Sequence, residues 1–168
     1  QFIMCGWGNG EKSELIKRCM ASWKKYLPDY QFIEWNEDNF PIDYNKFVKQ
    51  AYEQKKYAFV SDVVRLWALY NYGGIYLDTD VEVFKSLDVF LSDKAFTGFE
   101  NVGFPVCATM GAEKGNPLIK ELLDYYNDKE FSTPTNTVII SEALEKHGIN
   151  RNKDEIQNQR LKAKVIMV

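Results

Sequence analysis

The tripeptide Ile75-Tyr76-Leu77 constrains this chain more than any other part of it. It is wholly apolar, follows Gly73-Gly74, and leads directly into Asp78-Thr79-Asp80. A short apolar run bounded by turn residues reads as a buried strand, because a helix needs more length to bury a face. Ahead of the glycines, from about Phe59 to Tyr72, Val63, Leu66, Trp67 and Tyr70 recur at helical spacing. Gly73 stands where a helix ends on a glycine. The stretch Ser61 to Asp80 therefore predicts a helix, a sharp break, a buried strand, and two aspartates at that strand's carboxyl end.

The flanking sequence predicts elements that alternate in type. Gln1–Met4 reads as the end of a strand and Cys5–Gly10 as a glycine-rich turn holding Trp7. Glu11–Leu27 reads as a helix with Leu15, Ile16, Cys19, Met20, Trp23 and Leu27 on one face, stopped by Pro28. Tyr30–Trp35 is a strand and 36–41 a loop. A helix capped by Asp43 runs through Gln54, with Phe47, Val48, Ala51 and Tyr52 inward. Val81–Phe84, Ala95–Phe99 and Val106–Met110 read as strands. Asn116-Pro117 starts a helix whose buried face is Leu118, Ile119, Leu122, Leu123 and Tyr126. A turn at 133–136 leads into a helix ending at His147-Gly148, and 150–164 is polar. Alternating helices and strands without a repeat or low-complexity linker predict one α/β domain over 1–168 with a mostly parallel central sheet.

At 168 residues, 45% hydrophobic and 15% aromatic, the chain can bury a real core. A net charge of -3, with Lys and Arg scattered among acids, gives no basic surface for nucleic acid. Cys5, Cys19 and Cys107 are odd in number and lack metal-ligand spacing, which fits free thiols in a reducing, cytoplasmic setting. No apolar run reaches the roughly 18 residues of a membrane span, so contact with a membrane would be peripheral. No basic and apolar leader is visible.

Two carboxylates at the end of an apolar strand repel one another unless a cation lies between them. The motif alone is weak, since eleven aspartates in 168 positions give about 0.7 such pairs by chance. Its setting strengthens it, because ligands of open α/β sheets sit beyond the carboxyl ends of strands. A hard cation, Mn²⁺ or Mg²⁺, takes oxygen ligands and leaves places for diphosphate oxygens. Asp62 and Arg65, three apart on the helix, form either an ordinary exposed ion pair or a site in which the guanidinium fork meets a diphosphate and Asp62 meets sugar hydroxyls. Trp7 could stack on a nucleobase or fill the core. Tyr76 could face the site or the core. His147, the single histidine, reads as a helix-end residue rather than a catalytic one.

Residues 61–83, SDVVRLWALYNYGGIYLDTDVEV, resemble the core motif of the DXD-containing sugar-binding glycosyltransferases. That family includes capsular polysaccharide transferases, yeast α-mannosyltransferases and the large clostridial glucosylating toxins. Trp7 with Gly8 and Gly10, SWKKYLPDYQFIEWNEDNF, GAEKGNPLIKELLDYY and TPTNTVIISEAL extend the likeness over most of 1–148. The resemblance implies a single GT-A (Rossmann-like) domain, a UDP- or GDP-sugar donor, a saccharide acceptor, Mn²⁺ or Mg²⁺, and retention of anomeric configuration. It assigns Asp80 as direct metal ligand and Asp78 to ribose or sugar hydroxyls and, through water, to the metal. Asp62 and Arg65 would hold the donor sugar and diphosphate as the catalytic pair. Tyr76 would line the donor pocket, and Trp7 would stack on the base. Leu161–Val168 does not resemble the segment that completes the metal shell, so the resemblance implies a domain incomplete at its C-terminus.

Two other readings remain open from the residues. A non-catalytic domain of the same fold would bind nucleotide without turnover. A phosphatase of the haloacid dehalogenase type also puts D-x-D at a strand end with Mg²⁺, but has Thr or Val where Glu82 stands and no use for Asp62 and Arg65.

Overall fold

In the computed structural model the strand before the aspartates forms at Gly74–Leu77 (β3), and it is the seam of the sheet. On one side β1 (Phe2–Cys5) pairs parallel with β3, and β2 (Phe32–Trp35) pairs parallel with β1. On the other side β5 (Phe104–Ala112) runs antiparallel to β3, and β4 (Ala95–Asn101) antiparallel to β5. Two short strands, β6 (Gln159–Arg160) and β7 (Val165–Met167), extend these five, in the order β2-β1-β3-β5-β4-β7-β6. The structure describes residues 1–8, 10–101, 104–132, 136–148, 159–160 and 165–167. The expected turn over 133–135, and the polar stretch apart from 159–160, lie outside them.

Five α-helices form among the described residues: α1 (Glu14–Tyr26), α2 (Lys46–Glu53), α3 (Tyr57–Tyr72), α4 (Pro117–Asp124) and α5 (Asn136–Lys146). The caps explain the starts. Asn116 accepts from the N–H groups of Leu118 and Ile119 at 3.0 and 3.3 Å, and Ser13 from that of Ile16 at 3.4 Å. α2 is capped by Asn45, which accepts from Val48 N–H at 2.8 Å, and not by Asp43. The chain from Pro41 to Tyr44 is a separate turn closed by Tyr44 N–H on the Pro41 carbonyl, so the helix begins later.

Strand alternation sorts the core into two layers. Phe2, Met4, Ile75 and Leu77 face α1 with Cys19 and Trp23. Ile3, Cys5 and Tyr76 face α3. Tyr76 therefore lies on the α3 side of the sheet, as does Asp78 two residues on. α3 packs between the sheet and helices α2 and α4. Val60, Val63, Val64, Leu66, Ala68 and Leu69 are all buried, while Trp67 and Tyr70, expected inside, are half-buried. A helix buried on several sides shows no single apolar stripe.

Val81–Phe84 is not a strand. Trp23 Nε1 donates to the Val81 carbonyl at 2.8 Å and Val83 N–H to Ser22 Oγ at 2.9 Å. Side chains of α1 thus take the backbone groups a ladder would use. The alternation of Val83 inside and Phe84 outside survives without a partner strand. His147 follows the last residue of α5 and meets Glu121 Oε2 at 2.8 Å, a structural role. Among the described residues no helix is long and apolar enough to cross a membrane.

Gly73 and Gly74 let α3 turn straight into β3. Both have positive φ, +70° and +112°, and a Cβ would lie 2.7 Å from Lys114 N at Gly73 or 2.7 Å from Gln1 O at Gly74. Gly74→Ala is expected to cost about 2–4 kcal/mol, combining left-handed strain with a backbone clash. Urea denaturation measures it, and a loss within error of zero would show that the turn has another solution.

Candidate functional site

The carboxyl ends of parallel strands β1, β2 and β3 open onto one cleft of about 480 Å³. Its wall takes Gly6, Trp7 and Lys12 from the loop after β1, Glu34 from β2, Ser61 and Arg65 from α3, and Tyr76, Asp78 and Asp80 from the end of β3. An apolar groove of about 260 Å³ between α1 and the β2 edge, lined by Phe2, Met20, Trp23 and Phe32 among others, gathers no ionisable cluster.

Arg65 is the hub. It is 4% exposed, and its donors are all directed by the fold. Nε donates to the Ser61 carbonyl at 3.3 Å and Nη1 to the Cys107 carbonyl at 2.7 Å. Nη2 lies 3.0 Å from Asp62 Oδ1 and 3.4 Å from Asp78 Oδ1. The guanidinium stands over the Tyr76 ring at 4.5 Å. Burial alone would lower its proton affinity, but Tyr76, Asp62 and Asp78 raise it, so it stays a cation. Burial also lifts the Tyr76 phenol well above its ordinary value, which keeps it neutral and able to donate to Asp78 Oδ1 at 2.5 Å. Asp78 is thus held through one oxygen. Its other oxygen has no protein partner among the described residues.

Asp80 is exposed and makes no ion pair among the described residues. Asp62 lies behind Arg65, is 13% exposed at its side chain, and is not part of the cleft wall. Burial pushes its carboxyl up to about 6, with Arg65 opposing and Asp78 adding to the rise. Trp7 is fixed in plane: Nε1 donates to Ser61 Oγ at 2.8 Å, and the ring meets Phe40 and Tyr52 edge-on. Glu37 holds the loop by accepting from Gly8 N–H at 2.7 Å and from the Tyr52 hydroxyl at 3.1 Å. Cys5 lines the cleft, but burial pushes its thiol up to about 12, and that of Cys107 to about 11, so neither supplies a thiolate.

The structure therefore brings Trp7, Arg65, Tyr76, Asp78 and Asp80 to one cleft and sets Asp62 one layer back. Sequence reasoning passed over Ser61, Lys12, Glu34 and Glu37. Ser61 is four residues before Arg65 and so on the same helix face, a signal present in the chain. Glu34 interrupts an apolar strand, which is a second such signal. Lys12 and Glu37 sit in loops and carry none.

Among the described residues no three His, Cys, Asp or Glu side chains converge as a metal cage. Asp78 and Asp80 offer oxygen only, and the exposed carboxylate of Asp80 is open to a ligand. That donor set fits a hard cation which takes further oxygens from water or a bound ligand.

A family profile described as "Glycosyltransferase sugar-binding region containing DXD motif" matches residues 13–97. The chain belongs to this family. Such glycosyltransferases generally use a divalent metal, and bind nucleotide-sugar donors and saccharide acceptors. Membership leaves no ground for the phosphatase alternative. Inositol phosphoceramide mannosyltransferase 3 of Schizosaccharomyces pombe is 34% identical over 122 residues, covering 70% of this chain. The chain spans 34% of that relative's length. The solved structure of PaToxG Glycosyltransferase aligns with a TM-score of 0.67 and 20% identity, over 86% of this chain and 67% of that one. A glycosyltransferase involved in the glycosylation of the major capsid of PBCV-1 aligns with a TM-score of 0.52 and 14% identity, over 99% and 81%. These likenesses establish the GT-A fold.

The folded chain holds a proton on Asp62 more tightly than the unfolded one, with the pKa raised from 3.8 to about 6. The stability this contributes is full below about pH 4 and is lost as pH rises through about 6. The stability of Asp62→Asn relative to wild type should rise between pH 4 and pH 7 by about 1–3 kcal/mol. Denaturant titrations at both pH values give the number, and a pH-independent difference would contradict the buried environment described here.

Proposed function

We propose that this chain is the donor-binding and catalytic domain of a metal-dependent, retaining glycosyltransferase. It moves a hexose from a nucleoside-diphosphate sugar to a saccharide acceptor, in the assembly of a capsular or surface polysaccharide. The observation that carries this reading is the convergence of Arg65, Asp78 and Asp80 at the carboxyl ends of β1 and β3, in the cleft walled by Trp7. Mannose is the sugar in the name of the fission-yeast relative, so GDP-mannose belongs beside the UDP-hexoses among donors to test. Free Cys5, Cys19 and Cys107 favour a reducing, cytoplasmic location.

Each residue has a role in that reading. Trp7, held in plane by Ser61, offers a ring face to the base. Arg65 places a fixed cation beside the diphosphate, with its orientation already set by Asp62 and two carbonyls. Such preorganised charge stabilises a leaving diphosphate without reorganisation during the reaction. Tyr76 aims Asp78 by its hydroxyl. Asp62 positions Arg65 from one layer behind the cleft wall. Asp80, and Asp78 through its free oxygen, would hold Mn²⁺ or Mg²⁺, which when bound supplies Lewis-acid neutralisation of the diphosphate.

Binding without turnover is the second reading. It is favoured by one observation, that no third acidic, His or Cys side chain joins Asp78 and Asp80 among the described residues.

A panel of UDP- and GDP-sugars with Mn²⁺ separates the two, read as donor hydrolysis and as calorimetric binding. Hydrolysis of at least one donor that EDTA abolishes is expected; nucleotide binding with no hydrolysis favours the second reading. Asp80→Asn should lower metal-dependent hydrolysis by about 100-fold or more with an unchanged melting curve, because Asp80 is exposed and unpaired. Full activity in that variant would remove Asp80 from the metal site. Arg65→Lys should weaken donor binding about tenfold, because the contacts that fix the cation and Asp78 in the cleft wall are lost, and should lower the melting temperature as well. Unchanged affinity would remove Arg65 from the donor site.

A further inference from the structure

The β2 end of the sheet is open. β2 pairs with β1 on one side and has no neighbour on the other among the described residues. Gln31 and Trp35 direct their carbonyls at β1, where they accept from Phe2 and Gly6 N–H at 2.7 and 2.9 Å. Alternation then turns the backbone groups of Phe32 and Glu34 outward. Asn39 Nδ2 donates to the Glu34 carbonyl at 2.9 Å, and Tyr30 N–H to the Leu27 carbonyl at 3.2 Å. The Phe32 N–H and carbonyl, the Glu34 N–H and the Tyr30 carbonyl have no partner among the described residues. Neither lysine nor proline stands in Phe32–Trp35 to blunt this edge.

The edge is also apolar where it meets water. Phe32 is 40% exposed, although it stacks on Phe2 at 5.9 Å and lies 5.8 Å from Trp23. It forms one wall of the apolar groove of about 260 Å³ that Met20, Trp23, Lys24 and Leu27 also line. An open ladder and an apolar groove are each a recognition surface, and here they are continuous. We propose that this edge is closed by the β2 edge of a second copy of the chain, paired antiparallel about a two-fold axis at Phe32.

The unpaired groups select both the partner and the register. With Phe32 facing its copy, the two Phe32 residues exchange N–H···O bonds, and each Glu34 N–H meets the partner's Tyr30 carbonyl. That register uses every unpaired group of the edge. The two groups it leaves over, Tyr30 N–H and the Glu34 carbonyl, are those already engaged within the chain. The Phe32 rings extend the aromatic row of Trp23 and Phe2 across the axis. Phe32 and Glu34 share the α1 face, so each Glu34 carboxylate arrives at the rim of the partner's groove, where Lys24 supplies a cation. An edge paired with its own copy is used up, so assembly stops at two. The strands of the two copies point opposite ways, which keeps their clefts apart. One short strand and one groove make a small contact beside that of a permanent dimer, so a micromolar dissociation constant is expected.

Analytical ultracentrifugation of the whole chain, from low micromolar to submillimolar concentration, tests this together with amide hydrogen exchange at both ends of the range. A rise from monomer to dimer mass is expected, with the Phe32 and Glu34 amides gaining protection as it occurs. Phe32→Lys sets two cations against each other at the axis. It should raise the dissociation constant about 30-fold or more, with a melting curve to show that it folds. A monomer at every concentration overturns the proposal and leaves the edge to another occupant. So does a dimer in which those amides gain no protection, or a folded Phe32→Lys that associates like wild type. If Phe32→Lys does not fold, the two wild-type amides decide alone.

Discussion

The buried guanidinium of Arg65 is the interaction on which the rest depends. It joins α3 to β5 through the Cys107 carbonyl, to β3 through the Tyr76 ring, and to the strand end through Asp78. A cation removed from water must find partners for all its donors, and here the partners are two carboxylates, two carbonyls and an aromatic face. The same contacts hold the cation in the wall of the cleft. Fold and candidate site are therefore not separable at this residue: taking the guanidinium away would leave Asp62 and Asp78 facing each other without a counter-charge.

The change of strand direction at β3 makes that arrangement possible. Parallel strands β1, β2 and β3 bring three carboxyl ends to one edge, where loops after β1 and β3 meet. Antiparallel β5 then returns along β3. Its Ala108 carbonyl accepts from Asp78 N–H at 2.8 Å, while the Cys107 carbonyl reaches Arg65. A wholly parallel neighbour would have placed a different set of backbone groups beside the aspartates. The Asp78-Thr79-Asp80 turn thus follows the strand at which parallel pairing gives way to antiparallel.

Elements with strong local chemistry could be read directly from the chain. Asn116-Pro117 starts a helix because its side-chain oxygen and missing N–H suit the first turn. Gly73-Gly74 ends one because no other residue fits both the dihedral angles and the neighbouring backbone. Elements decided by neighbours could not be read so well. Val81–Phe84 has the alternation of a strand but is held by Trp23 and Ser22 of α1. Asn45 and Asp43 are both good caps, and only the turn at 41–44 selects Asn45. For the site, Trp7, Arg65, Tyr76, Asp78 and Asp80 share a cleft as their types suggested. Glu34 and Lys12 become an ion pair only in the fold, 22 residues apart in sequence.

From its sequence alone, then, this chain determines a helix, a glycine break and an apolar strand that ends in two aspartates, because each of those steps depends on neighbours a few residues away. It also carries the pattern that marks its family. Only the tertiary structure decides that Tyr76 faces Arg65 rather than the α1 layer, that Asp62 backs the guanidinium instead of lining the cleft, and that Glu34 lies over Gly6. Those outcomes follow from sheet order and from which face of β3 meets α3. Long-range packing sets both, and no local spacing encodes either.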